Sequence, residues 1–307
     1  MMHKILIAGG SGLIGSRLTE YLNPKKYQIH ILSREQQTDR DNIKYFLWDT
    51  HQKEIDLAAF KGVDTVINLA GAGIADKRWT VARKKILLDS RLDSIATLSA
   101  AIDKIDKDKR PPLFIGASAV GFYGNQGDKK LTDSDPTGKG FLAEVTSKWE
   151  IASLKLAEKF YRHTILRIGI VLSKKGGALK EILKPAMVGT YGYFGDGSAY
   201  YAWIHIDDIC KLILSQIEDE RYTGIYNATA PQPLTIKELV TAVKKAKGGI
   251  GLVMPVPVFA LKMVLGEMTQ MLTDSMRAMP DRLQSEGFTY EFADPVIALK
   301  NILEENI

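Results

Sequence analysis

Residues Gly9-Gly10-Ser11-Gly12-Leu13-Ile14-Gly15 follow a G-x-x-G-x-x-G spacing, between an apolar run at 4–8 and a helical one at 13–22. The chemistry of such a turn is phosphate binding. Gly9 permits the tight turn, Gly12 lets a diphosphate approach the backbone, and Gly15 lets the helix pack closely on the strand. Backbone N–H groups around Ser11, Leu13 and Ile14, with the positive end of the helix dipole, would face the phosphates. The ligand this predicts is a dinucleotide; the alternative is a purely structural glycine turn. The next apolar run, 28–33, ends in Ser33-Arg34, where a site for an unphosphorylated ribose would carry Asp or Glu. A guanidinium there can stack on adenine and pair with a 2′-phosphate, which points to NADP(H) over NAD(H). Glu35 beside it works against that choice, and a solvated loop arginine is the bland alternative.

Holding such a loop takes a sheet, and the chain alternates short strand-like runs with helical ones. Strands are expected at 4–8, 28–33, 43–47, 63–69, 113–117 and 163–171. Helices are expected at 13–22, 80–103 and 141–160. The second carries Leu88, Leu92, Ile95 and Ile102 on one face, the third Leu142, Val145, Trp149, Ala152 and Leu156. Alternation of this kind implies an α/β chain with a Rossmann-type, doubly wound parallel sheet and right-handed crossovers. After Gly176 the rhythm breaks into Gly- and Tyr-rich loops. We therefore divide the chain into a nucleotide-binding domain at 1–172 and a smaller C-terminal substrate lobe at 173–307. Segments 203–215 and 224–227 return to the first core. Residues 254–279 are apolar and rich in Met; core packing is the reading taken, a partner surface the alternative.

Bulk properties exclude several classes. The 41 basic and 36 acidic residues are interspersed, so the net charge of +5 forms no nucleic-acid footprint. Cys210 is the sole cysteine, which rules out an intramolecular disulfide and fits a reducing cytoplasm. No run of 18 apolar residues suggests a membrane span. His205-x-Asp207-Asp208 is too short a set to argue for a metal; Asp207 or Asp208 is expected to cap the helix that follows.

Several motifs together resemble the extended short-chain dehydrogenase/reductase superfamily. They are Asn68-Leu69-Ala70-Gly71, Ser118-Ala119-Val120-Gly121-Phe122-Tyr123-Gly124, Trp203-Ile204-His205-Ile206-Asp207-Asp208 and Gly224-Ile225-Tyr226-Asn227. Arg78-Trp79-Thr80, Asp89-Ser90-Arg91, Gly176-Gly177-Ala178-Leu179, Pro255-Val256-Pro257 and Leu265-Gly266-Glu267 narrow this to an atypical branch. Its members are called epimerase-family or nucleoside-diphosphate-sugar epimerase proteins. The resemblance implies that Leu69, Ala70, Gly71 and Val171 border the cofactor. It also implies that Arg91 clamps a cofactor phosphate or ribose, and it makes a homodimer the expected assembly.

The superfamily's Tyr-x-x-x-Lys pair is missing from the helix where the resemblance expects it. One register puts Glu144 and Lys148 in those slots, another Phe141 and Val145; neither supplies a phenol. At i,i+4, Glu144 and Lys148 also read as a surface ion pair. Tyr21…Lys25 spans Pro24 and is read as chance. Ser118 is expected to face the nicotinamide and polarise the reacting oxygen, although the spacing to Tyr123 also allows Ala119 in that slot. Tyr123, Glu144 or a water would then handle the proton, with packing under the lobe the equal alternative for Tyr123. Tyr191, Tyr193, Tyr200 and Tyr201 crowd one lobe segment and could stack on a sugar ring. The functional expectation is an NADP-dependent oxidoreductase or epimerase acting on a polar small molecule, such as a nucleotide sugar. Two alternatives stand beside it: an NADP(H)-binding sensor or scaffold without turnover, and a broad carbonyl reductase working by proximity alone.

Overall fold

The computed structural model describes residues 2–187 and 189–304. Runs of Ile, Val and Leu make the strands, because branched side chains suit a pleated surface buried on both faces. The main sheet holds β1 (His3–Ala8), β2 (Tyr27–Ser33), β3 (Ile43–Asp49), β4 (Glu54–Ile55), β5 (Thr65–Asn68), β6 (Leu113–Ala119), β7 (Arg162–Ile168) and β8 (Gly224–Ala228). Its order is β8-β7-β6-β5-β1-β2-β3-β4. All pairs are parallel except the short β3–β4 hairpin. Ile5 pairs with Ile29 on one side and with Thr65 on the other. The chain thus winds outward in both directions from β1 and β5. The crevice beyond the carboxyl ends of these two strands is where such sheets bind ligands.

Helices α1 (Leu13–Tyr21), α2 (Val81–Asp103) and α3 (Phe141–Ala157) cover the sheet. Their existence was legible, but the buried faces are rotated from the expected stripes. On α2 the buried apolar residues are Leu87, Ile95, Leu98, Ala101 and Ile102, while Leu88 and Leu92 are half-buried. On α3 the sheet face also takes polar residues, Thr146, Glu150 and Ser153, which a hydrophobic stripe cannot reveal. Thr80 caps α2 by accepting from the Arg83 amide.

The lobe builds a second core. Helices α4 (Gly177–Ala186) and α6 (Ile236–Ala246) pack with the C-terminal helix Pro295–Glu304 around Leu179, Trp203, Leu239, Val243 and Leu299. Tyr191 and Tyr201 are buried there; Tyr193 and Tyr200 are half-buried under Lys237 and Arg277. Half of the tyrosine cluster is therefore core packing. Helix α5 (Ile206–Glu218) returns to the first core through Ile206, Ile209, Ile213 and Ile217. One expectation fails in the Met-rich segment. Helix α7 (Val258–Leu265) has no buried residue, and Phe259, Met263 and Val264 are about 70% exposed. It meets mainly the short turn that follows it, so its apolar side chains find no core to enter.

The cap of α5 is also not the expected aspartate. His205 sits at the cap and its Nδ1 accepts from the Asp207 amide at 3.1 Å. Both carboxylates have stronger partners: Asp207 takes Arg17 in two bonds of 2.6 and 2.9 Å, and Asp208 accepts the Glu291 and Phe292 amides. His205 is fully buried and stacks on Phe292. Burial holds its imidazole down at about 4, against the pull of Asp207. Unfolded, the same ring protonates near 6.5. Between these values the unfolded chain binds the extra proton, so this stability is present above about pH 6.5 and is lost as pH falls towards 4. The fold is expected to lose about 2 kcal/mol between pH 7 and 5 from this group. Urea unfolding at both values checks it, with His205→Asn as the variant that removes the difference.

Candidate cofactor and active site

The glycine loop meets its steric requirements in a form the sequence only implies. Gly9 has φ +85°, and a Cβ on it would lie 2.8 Å from the Leu69 carbonyl carbon and 2.9 Å from the Ala70 nitrogen. Residues Leu69 and Ala70 therefore wall the loop. A Cβ on Gly15 would lie 2.7 Å from Gly10 Cα, and closer still to the Gly9 carbonyl oxygen. The Gly12 amide donates to that oxygen at 3.0 Å, closing the turn. Gly12 is the N-cap of α1 and no side chain caps the helix. The first-turn N–H groups are consequently left for an anion.

A cleft of about 580 Å³ opens at this helix end. The α1 end lines it with Ser11, Gly12, Leu13, Ser16 and Arg17, and the following segment with Ser173, Lys175 and Gly176; the Arg17 guanidinium is already held by Asp207. Lys175 pairs with Glu20 at 3.1 Å, and Ser173 Oγ accepts the Lys175 amide. Sequence reasoning named only Val171 from this side; that residue pairs in register with Ile204. It missed Ser173 and Lys175, although the Lys174-Lys175-Gly176-Gly177 run was a visible signal. Ser33 ends β2, and its hydroxyl donates to the Glu35 carbonyl at 2.7 Å, curling the turn. Arg34 is exposed there and has no ion-pair partner among the described residues. Asn68 is buried and ties this region together. It accepts the Ala70 amide and donates to Ser94 Oγ.

Arg91 lies behind the next loop. Its Nη1 donates to the Ala72 and Leu87 carbonyls, its guanidinium stacks over Trp149 at 5.0 Å, and Gly71 packs on its side chain. Burial, with help from Arg83, pulls its pKa down to about 10.

The expected catalytic residues fall in two places, Ser118 and Tyr123 in one buried network and Glu144 with Lys148 on the surface. Tyr123 is fully buried. Its hydroxyl receives Arg167 Nη1 at 2.8 Å, and its own proton lies between Asn227 Oδ1 at 2.7 Å and the Thr132 carbonyl at 2.9 Å. Burial raises the phenol to about 12, despite Arg167. Such a group serves as a structural strut, which favours the packing alternative for Tyr123 over handling of a substrate proton. Ser118 is buried too, and its Oγ donates to Glu150 Oε2 at 3.0 Å. Glu150 in turn takes Arg167 in two bonds of 2.7 and 3.0 Å. Sequence reasoning missed this Ser118–Glu150–Arg167–Tyr123–Asn227 chain entirely. Glu150 and Arg167 lie 17 residues apart, and nothing in their local pattern marks them as partners.

Glu144 and Lys148 form an exposed ion pair at 2.6 Å. Lys148 lowers the Glu144 pKa. They line a separate shallow cleft with Phe141 and Lys84, to which neither Ser118 nor the glycine loop contributes. The structure thus favours the surface reading of that pair over a proton relay. Among the described residues no group of three His, Cys, Asp or Glu side chains could hold a metal ion, and no helix is long and apolar enough to cross a membrane.

Comparison with known proteins agrees with this geometry. Residues 5–228 match the model of the NAD dependent epimerase/dehydratase family, and 256–302 match a domain of unknown function, DUF1731. The chain is 31% identical over 303 residues to the chloroplastic epimerase family protein SDR39U1 homolog of Arabidopsis thaliana, covering 98% of this chain and 86% of that one. It is 34% identical over 287 residues to the epimerase family protein Mb2239 of Mycobacterium bovis, covering 93% of each. Among solved structures, human epimerase family protein SDR39U1 with NADPH superposes with a TM-score of 0.87 at 28% identity, over 99% of this chain and 100% of that one. A nucleoside-diphosphate sugar epimerase from Corynebacterium glutamicum gives 0.77 at 27%, over 99% of this chain and 58% of that one. The chain belongs to the NAD dependent epimerase/dehydratase family, in the epimerase-family branch of the extended short-chain dehydrogenases/reductases.

Proposed function

We propose that the chain is an NADP(H)-dependent oxidoreductase or epimerase acting on a polar small molecule. The observation that carries the cofactor reading is the uncapped N-terminus of α1, opening into a cleft that also holds Arg17 and Lys175. The donor set suits a diphosphate: backbone N–H groups at a helix end, with the Lys175 ammonium on the facing segment. Arg34 at the end of β2 suits a 2′-phosphate. The NADPH held by human SDR39U1 supports the same reading. When bound, the nicotinamide supplies or accepts a hydride. Leu69 and Ala70 wall the loop that holds the diphosphate, and Arg91 backs the following turn at Gly71.

The double substitution Ser33→Asp with Arg34→Ile is expected to shift preference from NADPH towards NADH by at least about tenfold in affinity ratio. An unchanged ratio would remove the Ser33-Arg34 pair from cofactor choice. Turnover is tested by incubating the protein and NADPH with carbonyl compounds and nucleotide sugars. Cofactor oxidation is followed together with sugar analysis, because epimerisation leaves no net change in cofactor.

A second reading is favoured by one feature: both Ser118 and Tyr123 are already committed to the buried network around Glu150 and Arg167. An NADP(H) sensor without turnover needs neither hydroxyl. Tight NADPH binding, with no oxidation and no epimerised product across the panel, selects it.

A further inference from the structure

The apolar segment that finds no core begins at a bare corner of the lobe. Residues 248–251 form a turn after α6, with Gly248, Gly249 and Gly251 at φ between +80° and +117°. The turn throws Ile250 outward, 85% exposed; Leu252 beyond it is 71% exposed, and Met187, after α4, 82%. The backbone brings all three to one corner. The Leu252 amide donates to the Gly189 carbonyl at 2.9 Å, and Lys247 Nζ donates to the Ala186 carbonyl at 3.4 Å. A turn tip in water ordinarily carries polar residues, and grouped apolar side chains on a surface mark a contact.

The charge around this corner has one sign. Residues 239–266 hold four lysines and no acidic residue. Lys244 and Lys245 end α6, Lys247 follows at once, and Lys262 sits on α7. None of them meets a carboxylate among the described residues, and on α4 Glu181 is already taken by Lys184 at 2.6 Å. Lys244 and Lys245 also answer the helix dipole, but that role needs no apolar tip beside it. The strand Leu252–Val256 pairs with Thr190–Phe194 on one edge, and among the described residues its other edge is free. The Leu252 amide and the Val256 carbonyl point to the paired strand, so Val253 and Pro255 turn their backbone to the free edge. Pro255 has no N–H to give there, which blunts the edge against strand pairing with a second copy.

We propose that this corner docks on an anionic phospholipid bilayer. Ile250, Leu252 and Met187 enter the boundary between headgroups and acyl chains, while Lys244, Lys245 and Lys247 reach the lipid phosphates. Lysine suits that place because its stem lies along apolar surface while its ammonium stays with the headgroups. Helix α7 extends the apolar surface from the far end of the strand through Phe259 and Met263, four residues apart and so on one face. Attachment of this kind needs no spanning helix. None of these residues lines the cofactor cleft, so the inference stands apart from the cofactor reading.

The test is co-sedimentation of the full chain with vesicles of phosphatidylglycerol and phosphatidylcholine in equal parts, against phosphatidylcholine alone. Binding to the anionic vesicles is expected to be at least about tenfold tighter, and to weaken as salt is raised. Ile250→Ser with Leu252→Ser is expected to weaken it at least about fivefold, and Lys244→Gln with Lys245→Gln at least about tenfold. These side chains lie outside the core, so an unchanged thermal midpoint is expected in both variants. No binding to the anionic vesicles would overturn the proposal, and so would equal binding to both kinds of vesicle. Binding unaltered in either variant would do the same. A wild-type dimer that Ile250→Ser with Leu252→Ser dissociates in the analytical ultracentrifuge, without vesicle binding, would give the corner to a second copy instead.

Discussion

Glu150→Leu is expected to destabilise the protein by about 3–5 kcal/mol, because it strands a buried cation. The carboxylate is buried with Arg167, their side chains only 5% and 4% exposed. Burial alone would penalise the guanidinium, yet Glu150, together with Tyr123, more than compensates and holds the Arg167 pKa above its usual value. Removing the acid leaves a cation in the core with only Tyr123, the Asp133 carbonyl and the Phe122 ring around it. The Ser118 hydroxyl loses its acceptor at the same time. Thermal unfolding should show a midpoint lower by about 10 °C. The double variant Glu150→Leu with Arg167→Met removes both charges, and is expected to recover much of the loss. A double variant no more stable than the single one would mean that the pair is worth more than its isolated charges, and that the surrounding hydroxyls depend on it.

Gly15→Ala is expected to weaken NADPH binding by at least about 100-fold, roughly 3 kcal/mol. The methyl group would meet Gly10 Cα at 2.7 Å and press on the Gly9 carbonyl that closes the turn. Backbone cannot yield there as a flexible side chain could, since Gly9 is itself confined by Leu69 and Ala70. The turn must open, and the N–H groups that would face a diphosphate then lose their alignment. Gly176→Ala in the same cleft is the control. Its methyl would make an ordinary contact of 3.5 Å with Leu13, so a change of less than about fivefold is expected. Isothermal titration of both variants with NADPH separates a steric loop effect from general damage to the cleft.

Legibility in the sequence followed how local each signal was. The glycine loop, β1, β2 and α1 are contiguous, and their spacing carries both fold and ligand class. The doubly wound order followed from strand–helix alternation, because the handedness rule leaves few arrangements. The Glu150–Arg167 network was not legible, since a buried ion pair is set by how β6, β7 and α3 pack, and such packing leaves no periodic trace. Residue type left Tyr123 open between chemistry and packing, because its partners, Arg167 and Asn227, lie 44 and 104 residues away. The α5 cap went astray for a related reason: Asp207 and Asp208 are good caps by type, but Arg17 and the 291–292 amides compete for them successfully.

The most direct measurement is a titration of the purified protein with NADPH and with NADH, followed by nicotinamide fluorescence. Saturable NADPH binding is expected, with NADH weaker by at least about tenfold, near 1.4 kcal/mol. Failure of both to bind, or NADH binding as tightly as NADPH, would contradict the assignment of the α1 cleft and Arg34 to NADP(H).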